Sequence, residues 1–330
     1  MYYSDKYRYA LFVTSLLILI VFITGCVKFD QMGSGTLDAN ATLVMAGEVE
    51  KQYVTIYLVT RRGGYLVPIN IKLAATERPV WATLERLICG NTELDGIFSP
   101  IPANTKIRDM YIKCGTAYID FSGEFATELR GKTKNHCRRA VDVIVWTLTE
   151  FPDIEKVQIL IDGMVQEELA EDVPINIPLE RPLWINKVSG TTADALVVLY
   201  FDYQGKFLVP ISRQVEDFSH SLSQMAIEEL FKGPEGLVGI ESVIPAGITL
   251  RSYKVEQGTA FVDLTVTEEA ADRFWSYDDK FLRALVYTLR EFSHIKNIQI
   301  MLNGKIAVNV NDDSTATDVN CHPPLVNLLD

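Results

Sequence analysis

The chain has 330 residues, 48% of them hydrophobic and 22% charged. That is a globular composition, which excludes a disordered chain and leaves room for about two domains. The net charge of −12 argues against binding a nucleic-acid backbone and gives no electrostatic reason to lie on an anionic lipid surface.

Lys6 and Arg8 precede an apolar run from Ala10 to Ile23, broken by Thr14 and Ser15. A membrane-spanning helix needs about 20 apolar residues, so this shorter stretch reads as the hydrophobic region of a signal peptide over residues 1–25. Removing it takes away Lys6, Arg8 and Asp5, two positive charges and one negative, and moves the balance to −13. The run ends in Ile23-Thr24-Gly25-Cys26, which resembles the bacterial lipobox. That resemblance implies cleavage before Cys26 by signal peptidase II, with a diacylglycerol on its sulfur. Acyl chains contribute about 0.8 kcal/mol per buried CH₂, so two or three of them anchor durably. Residues 26–50, with Gly33, Ser34 and Gly35, read as a flexible tether.

The rest of the chain is duplicated. Gly64-Tyr65-Leu66-Val67-Pro68-Ile69 recurs as Lys206-Phe207-Leu208-Val209-Pro210-Ile211, and Ile101-Pro102-Ala103 as Ile244-Pro245-Ala246. Gly115-Thr116-Ala117-Tyr118-Ile119-Asp120-Phe121 returns as Gly258-Thr259-Ala260-Phe261-Val262-Asp263-Leu264. Thr147-Leu148-Thr149-Glu150-Phe151 and Val157-Gln158-Ile159 return as Thr288-Leu289-Arg290-Glu291-Phe292 and Ile298-Gln299-Ile300. The offsets stay between 141 and 143, a domain-sized tandem duplication. The expected domains are residues 51–170 and 195–310.

Within each copy, Tyr53–Thr60 and residues 65–71 read as strands joined by a glycine hairpin turn. Val80, Trp81, Leu84, Leu87 and Ile88 share a helical face that ends at Gly90; Leu222, Met225, Ala226, Leu230 and Gly233 repeat the pattern. Strands over 106–113 and 116–122 meet at Cys114-Gly115, matched by Gln257-Gly258. A long helix near 135–151 carries Val141, Ile144, Val145 and Leu148, and its counterpart carries Phe281, Leu285, Leu289 and Phe292. A final strand, 157–161, ends at Asp162-Gly163, matched by Asn303-Gly304. The fold class is therefore α+β: two tandem β-β-α-β-β-α-β domains, each a sheet with helices on one face. Pro174, Pro178 and Pro182 make residues 171–194 a semi-rigid connector. Residues 311–330 read as a loose polar tail.

The lipobox, the tandem Leu-Val-Pro and Ile-Pro-Ala segments, the Gly-Thr-Ala-Tyr/Phe-Ile/Val-Asp strands and the Val/Ile-Gln-Ile strands together resemble the GerM-domain family, the sporulation and spore-germination lipoproteins with two such domains. The resemblance implies a ring-building-motif-like fold. It also implies anchorage in the mother-cell membrane on its extracytoplasmic face, and a part in assembling or localising a complex that joins mother cell and forespore. No catalytic residue is shared by the family, so none is carried over. The alternative is an envelope lipoprotein outside sporulation that binds a small ligand or a cell-wall glycan in an aromatic cleft near Trp184 or Trp275.

Candidate chemistry is sparse. Cys89, Cys114, Cys137 and Cys321 form no CxxC pair, so zinc and redox readings are weak. A Cys89–Cys137 disulfide is allowed outside the cytoplasm, but reduced, buried thiols are the expectation. His136, His220, His294 and His322 are dispersed. Asp120 and Asp263 stand at equivalent positions in apolar strands, the most enzyme-like feature; the expected role is a carboxylate holding backbone N–H groups, since acid–base work wants a positioned partner. Arg138 and Arg139 read as the solvated face of a helix. The expectation is a non-enzyme with no catalytic residue, metal or cofactor. Cys26 is its lipid-attachment residue, the membrane and envelope proteins are its partners, and neither nucleic acid nor a small-molecule ligand is expected.

Overall fold

The structure, a computed structural model, describes residues 51–90, 94–187, 195–215, 220–271, 280–310 and 327–329. The signal segment, Cys26, the tether, Trp275, Cys321, His322 and most of the tail lie outside the described residues.

Repeat one opens with an antiparallel hairpin, β1 (Lys51–Thr60) and β2 (Leu66–Ala74), in which Tyr57 faces Pro68 across the ladder. The turn uses Gly63 and Gly64 at positive φ, a conformation that glycine adopts without a Cβ clash. Helix α1 (Pro79–Cys89) follows with proline in its first turn, where a missing N–H costs nothing. The short β3 (Ile97–Phe98) then pairs with β1. A second sheet holds β4 (Ile107–Lys113), β5 (Thr116–Phe121) and β6 (Lys156–Ile161). Strand β4 is antiparallel to β5, and β5 is parallel to β6. The parallel step requires a crossover, which is supplied by α2 (Glu124–Leu129) and α3 (Lys134–Leu148). Thr133 caps α3 by accepting the His136 N–H.

The five expected strands thus divide between two sheets that share one core, with α1 and α3 packed on β1 and α3 also on β6. The sequence patterning specifies each strand's buried face but not which edges pair, so it reads equally as one sheet. After β6 the chain forms β7 (Glu168–Ala170), β8 (Val173–Pro174) and β9 (Leu179–Glu180), the last pairing with β6.

Repeat two follows the same course. It contains β10 (Ala195–Tyr203), β11 (Phe207–Val215), α4 (Leu222–Lys232), β12 (Ile240–Glu241), β13 (Ile248–Glu256), β14 (Thr259–Val266), α5 (Glu268–Ala271), α6 (Lys280–Arg290) and β15 (Asn297–Leu302). The pairing is again antiparallel for β13–β14 and parallel for β14–β15. Here the copies diverge: β16 (Lys305–Val310) continues as an antiparallel strand on β15. The last strand, β17 (Leu328–Leu329), returns to repeat one and adds in parallel to β2. The end of the tail is therefore docked rather than loose; the intervening 311–326 lies outside the described residues.

The core is continuous across both copies. Leu58, Val67, Ile69, Leu84, Leu87, Ile119, Phe121 and Ile144 are buried in the first, and Leu199, Phe201, Val209, Ile211, Leu230, Leu264, Phe281 and Leu285 in the second. Each such side chain contributes roughly 1.5–3 kcal/mol on burial.

Candidate functional site

The residues singled out for chemistry fall into structural roles. Asp120 Oδ1 accepts the Gly163 N–H at 2.7 Å, and Asp263 Oδ1 accepts the Gly304 N–H at 2.9 Å. Arg108 and Arg251 stand beside these carboxylates at 3.6 and 3.5 Å. Each aspartate therefore holds the turn that follows the parallel strand, in which Asp162 and Asn303 take positive φ. That is the role expected from sequence.

The cysteines only partly meet expectation. Cys89, Cys114 and Cys137 are free thiols, but Cys89 and Cys114 are exposed and only Cys137 is buried. Cys89 ends a helix and Cys114 occupies a left-handed hairpin position at φ 50, so neither side chain turns inward. Cys137 donates to the Leu129 carbonyl at 3.4 Å, and burial pushes its thiol up.

Among the described residues the histidines are not brought together. His136 stacks on Phe98, His220 lies 3.5 Å from Glu228, and His294 meets Phe292 edge-on. Arg138 and Arg139 are half-buried rather than fully solvated, because the 167–174 segment folds back over their helix. Arg138 donates to the Asp172 carbonyl and Arg139 pairs with Asp142 at 3.0 Å. Burial raises the Asp142 carboxyl in spite of Arg139.

The most organised polar geometry lies where the repeats meet. Pro68 and Pro210 sit on the outward edges of β2 and β11 and offer no N–H there, so the two edges cannot zip directly. Two asparagines bridge them instead. Asn186 Oδ1 accepts the Leu66 N–H at 2.8 Å while its Nδ2 donates to the carbonyls of Leu66 and Pro210, both at 2.8 Å. Asn327 Oδ1 accepts the Leu208 N–H at 2.7 Å while its Nδ2 donates to Leu208 at 2.8 Å and Pro68 at 2.9 Å. The two sets interchange when the repeats are interchanged. Both asparagines are buried and both take positive φ, which asparagine tolerates better than most side chains. Their backbones join in: Ser212 donates to the Ile185 carbonyl and Asn70 to the Asn327 carbonyl. A second contact has the Tyr203 hydroxyl donating to the Gly96 carbonyl and accepting from the Arg62 N–H.

Beside these clamps opens a cavity of about 690 Å³ lined by both repeats. On the first side the Tyr57 hydroxyl donates to Glu150 at 2.8 Å, and Arg181 donates to both Glu150 and the Tyr57 oxygen. The Arg181 guanidinium lies 4.1 Å from the Trp146 ring centre and 5.6 Å from that of Tyr57, a cation–π arrangement. On the second side the Tyr200 hydroxyl donates to Glu291 at 2.8 Å, and Tyr287 lies 5.4 Å from Tyr200. Thr147 and Thr288 fix the tyrosine-bearing strands by accepting the backbone N–H of Tyr57 and Tyr200. Burial, then the neighbouring glutamate, pushes both the Tyr57 and Tyr200 phenols well up. Glu291 stands at the rim and keeps solvent contact as a residue, yet crowding around its carboxyl pushes it up.

An aromatic cleft thus exists, but Tyr57, Trp146, Tyr200 and Tyr287 build it. Trp184 is 38% exposed and not part of the lining, and Trp275 lies outside the described residues. Sequence reading missed this site although its signal was in the repeats: Thr147/Thr288 recur on the buried faces of the helices, and Glu150/Glu291 recur just past their ends. Among the described residues no group of three His, Cys, Asp or Glu could hold a metal.

Comparison with known proteins agrees with the duplication. The family described as Germane, sporulation and spore germination, matches residues 55–167 and again 198–308. The spore germination protein GerM of Bacillus subtilis (strain 168) is 27% identical over 287 residues, covering 82% of this chain and 77% of that protein. The solved tandem GerMN domains of the Bacillus subtilis sporulation protein GerM superpose with a TM-score of 0.59 at 26% identity, covering 78% of this chain and 92% of that one. With both copies matched over most of the chain, the protein belongs to the Germane family of sporulation and spore germination.

Proposed function

We propose that the protein is a lipid-anchored, extracytoplasmic interaction component of sporulation or spore germination that helps assemble or localise the complex joining mother cell and forespore, and that it is not an enzyme. One observation supports this most. The polar residues that recur between the copies are engaged in intramolecular bonding: Asp120/Asp263 at turns, Thr147/Thr288 at the strands, and Asn186/Asn327 at the junction. General acid–base or nucleophilic work needs such groups within reach of a substrate atom. Among the described residues no helix is long and apolar enough to cross a membrane, so on this reading attachment rests on the lipid at Cys26.

Two genetic tests separate the parts of the proposal. Deleting the gene from its spore-forming host is expected to depress the yield of heat-resistant spores and to disperse the intermembrane complex; an unchanged yield contradicts the role. Cys26→Ser is expected to move the protein out of the membrane fraction, because the acyl chains that supply the anchoring energy are gone. A variant that still sediments with membranes and carries no acyl group contradicts the anchor.

A further inference from the structure

Among the described residues each repeat leaves one long strand at the rim of its second sheet, β4 in the first and β13 in the second. A rim strand presents a row of backbone groups to any chain that can pair with it. The two strands are equivalent in the duplication, so their differences are informative. The middle of β13 carries Lys254, whose Nζ lies 5.0 Å from the Phe261 ring centre, and Glu256 follows it. A charged residue there keeps other strands away. At that position β4 carries Tyr111, stacked on Tyr118 with ring centres 4.8 Å apart and planes 9° from parallel. Tyr111 is 51% exposed and Ile112 beside it 44%. Successive residues of a strand point to opposite faces, so β4 shows apolar surface on both.

The backbone of β4 dictates how a strand adds to it. Lys113 and Thr116 flank the two-residue turn Cys114-Gly115 and form the first bonded pair of the hairpin. Alternation then turns the N–H and C=O of Met110 and Ile112 away from β5. In keeping with this, the Met110 N–H donates to Asp109 Oδ1 at 2.8 Å. An antiparallel partner must therefore bond to Met110 and Ile112. The irregularity in β4 falls between Ile107 and Asp109, which leaves 109–113 regular.

That stretch is complementary to itself in reverse. With Tyr111 set opposite the Tyr111 of a second copy, Met110 and Ile112 exchange backbone bonds with their opposite numbers. On the outer face Asp109 meets Lys113 twice, and the tyrosines line up in a row across both sheets. On the inner face Met110 covers the exposed Ile112. A shift of two residues in either direction sets Asp109 opposite Tyr111 or Gly115 and loses both charge pairs. The same operation on β13 sets Lys254 against Lys254, a like-charge pair that destabilises. We propose that β4 is a dimerisation edge, through which two copies of this chain join their first repeats in antiparallel register about a two-fold axis at Tyr111. Such a contact uses one patch on both partners and closes at two. Lys254 guards the other rim against extension of the dimer into a fibre.

This inference does not depend on the sporulation role or on the lipid, since it concerns only which edge pairs. A strand edge of this length buries less than the roughly 1,200 Å² of a stable complex. The dimer is therefore a weak one, with an expected Kd on the order of 10–100 μM.

The test is sedimentation velocity of the full chain in detergent, with empty micelles in excess, across that concentration range. Asp109→Lys and Lys113→Asp are each expected to weaken self-association about thirtyfold, because both opposite-charge pairs become like-charge pairs. An equimolar mixture of the two single variants is expected to regain the parent affinity to within about threefold, since every lysine again faces an aspartate. Tyr111→Lys, which copies the second repeat, is expected to leave the chain monomeric. All three positions are exposed, and circular dichroism verifies that each variant is folded.

Three results overturn the proposal. One is a parent chain that stays monomeric up to about 1 mM. Another is association unchanged in both Asp109→Lys and Tyr111→Lys, which would place the contact elsewhere. The third is a mixture of the folded charge variants that associates no better than either alone.

Discussion

Replacing Asn186 by alanine is expected to lower the unfolding free energy by about 4 kcal/mol. The side chain satisfies three buried backbone groups at once: the Leu66 N–H, the Leu66 carbonyl and the Pro210 carbonyl. Leaving a buried donor or acceptor unpaired costs about 1–3 kcal/mol each. Water entering the truncated site will recover part of the total, which places the estimate near the low end of the roughly 3–9 kcal/mol that three such groups span. Because Asn186 holds φ 48, alanine also meets a left-handed backbone that it adopts less readily than asparagine. Asn327→Ala is expected to cost a similar amount, since it strands the Leu208 N–H and carbonyl and the Pro68 carbonyl. Urea unfolding checks both: the midpoint should fall while the slope stays near that of the parent. A loss below about 1 kcal/mol for both variants would mean that the asparagines merely sit between the edges.

Phe121→Ala is expected to have an effect of the same size by a different route. Phe121 ends β5 with no exposed surface and stacks on Phe125 of α2 at 4.8 Å. Removing a buried phenylalanine ring costs about 3–5 kcal/mol in lost transfer energy and residual cavity. The counterpart in repeat two is Leu264, fully buried at the equivalent strand position, so Phe121→Leu should cost far less than the alanine change. Thermal unfolding of the pair provides the check. Equal losses for leucine and alanine would show that the ring face against Phe125 matters more than the volume filled.

Much of the fold was legible because it is written locally. Period-two patterning located the strands, the apolar faces of α1, α3, α4 and α6 emerged from helical spacing, and the turn glycines marked where strands end. The turn-holding role of Asp120 and Asp263 was legible because a carboxylate in the last residues of a strand has the N–H groups of the neighbouring turn within reach. The junction was not legible for a physical reason. Asn186 and Asn327 recur at an offset of 141, but one stands in the connector and the other in the tail, with little flanking identity, and their leucine partners lie 120 and 119 residues away. No local periodicity encodes such a bond. Pro68 and Pro210 were visible as repeat markers, yet only the pairing of β2 and β11 with the asparagines shows that they forbid direct zipping of the edges.

The same limit applies to the cavity. Glu150 and Glu291 were seen as parts of a repeated helix end. Their meaning depends on Arg181, which belongs to a proline-rich connector and reaches Glu150 across 31 residues. The exposed thiols of Cys89 and Cys114 follow from backbone geometry at a helix end and a left-handed turn, which composition cannot reveal. The second repeat's β16, in place of the folded-back β7–β9 segment, likewise shows that tandem copies diverge first in the peripheral strands that follow their shared core.

The central claim is that the reciprocal asparagine clamps make two copies of one domain into a single body, so that the cavity between them is a permanent feature. Hydrogen exchange followed by mass spectrometry on the full chain tests it most directly. If the claim holds, the amides of β4–β6 and of β13–β15 lose protection in one shared opening event, and the Asn186→Ala, Asn327→Ala double variant splits that event in two. If the unsubstituted chain already opens one copy while the other keeps its full protection, the copies are independent modules and the account of the junction is wrong.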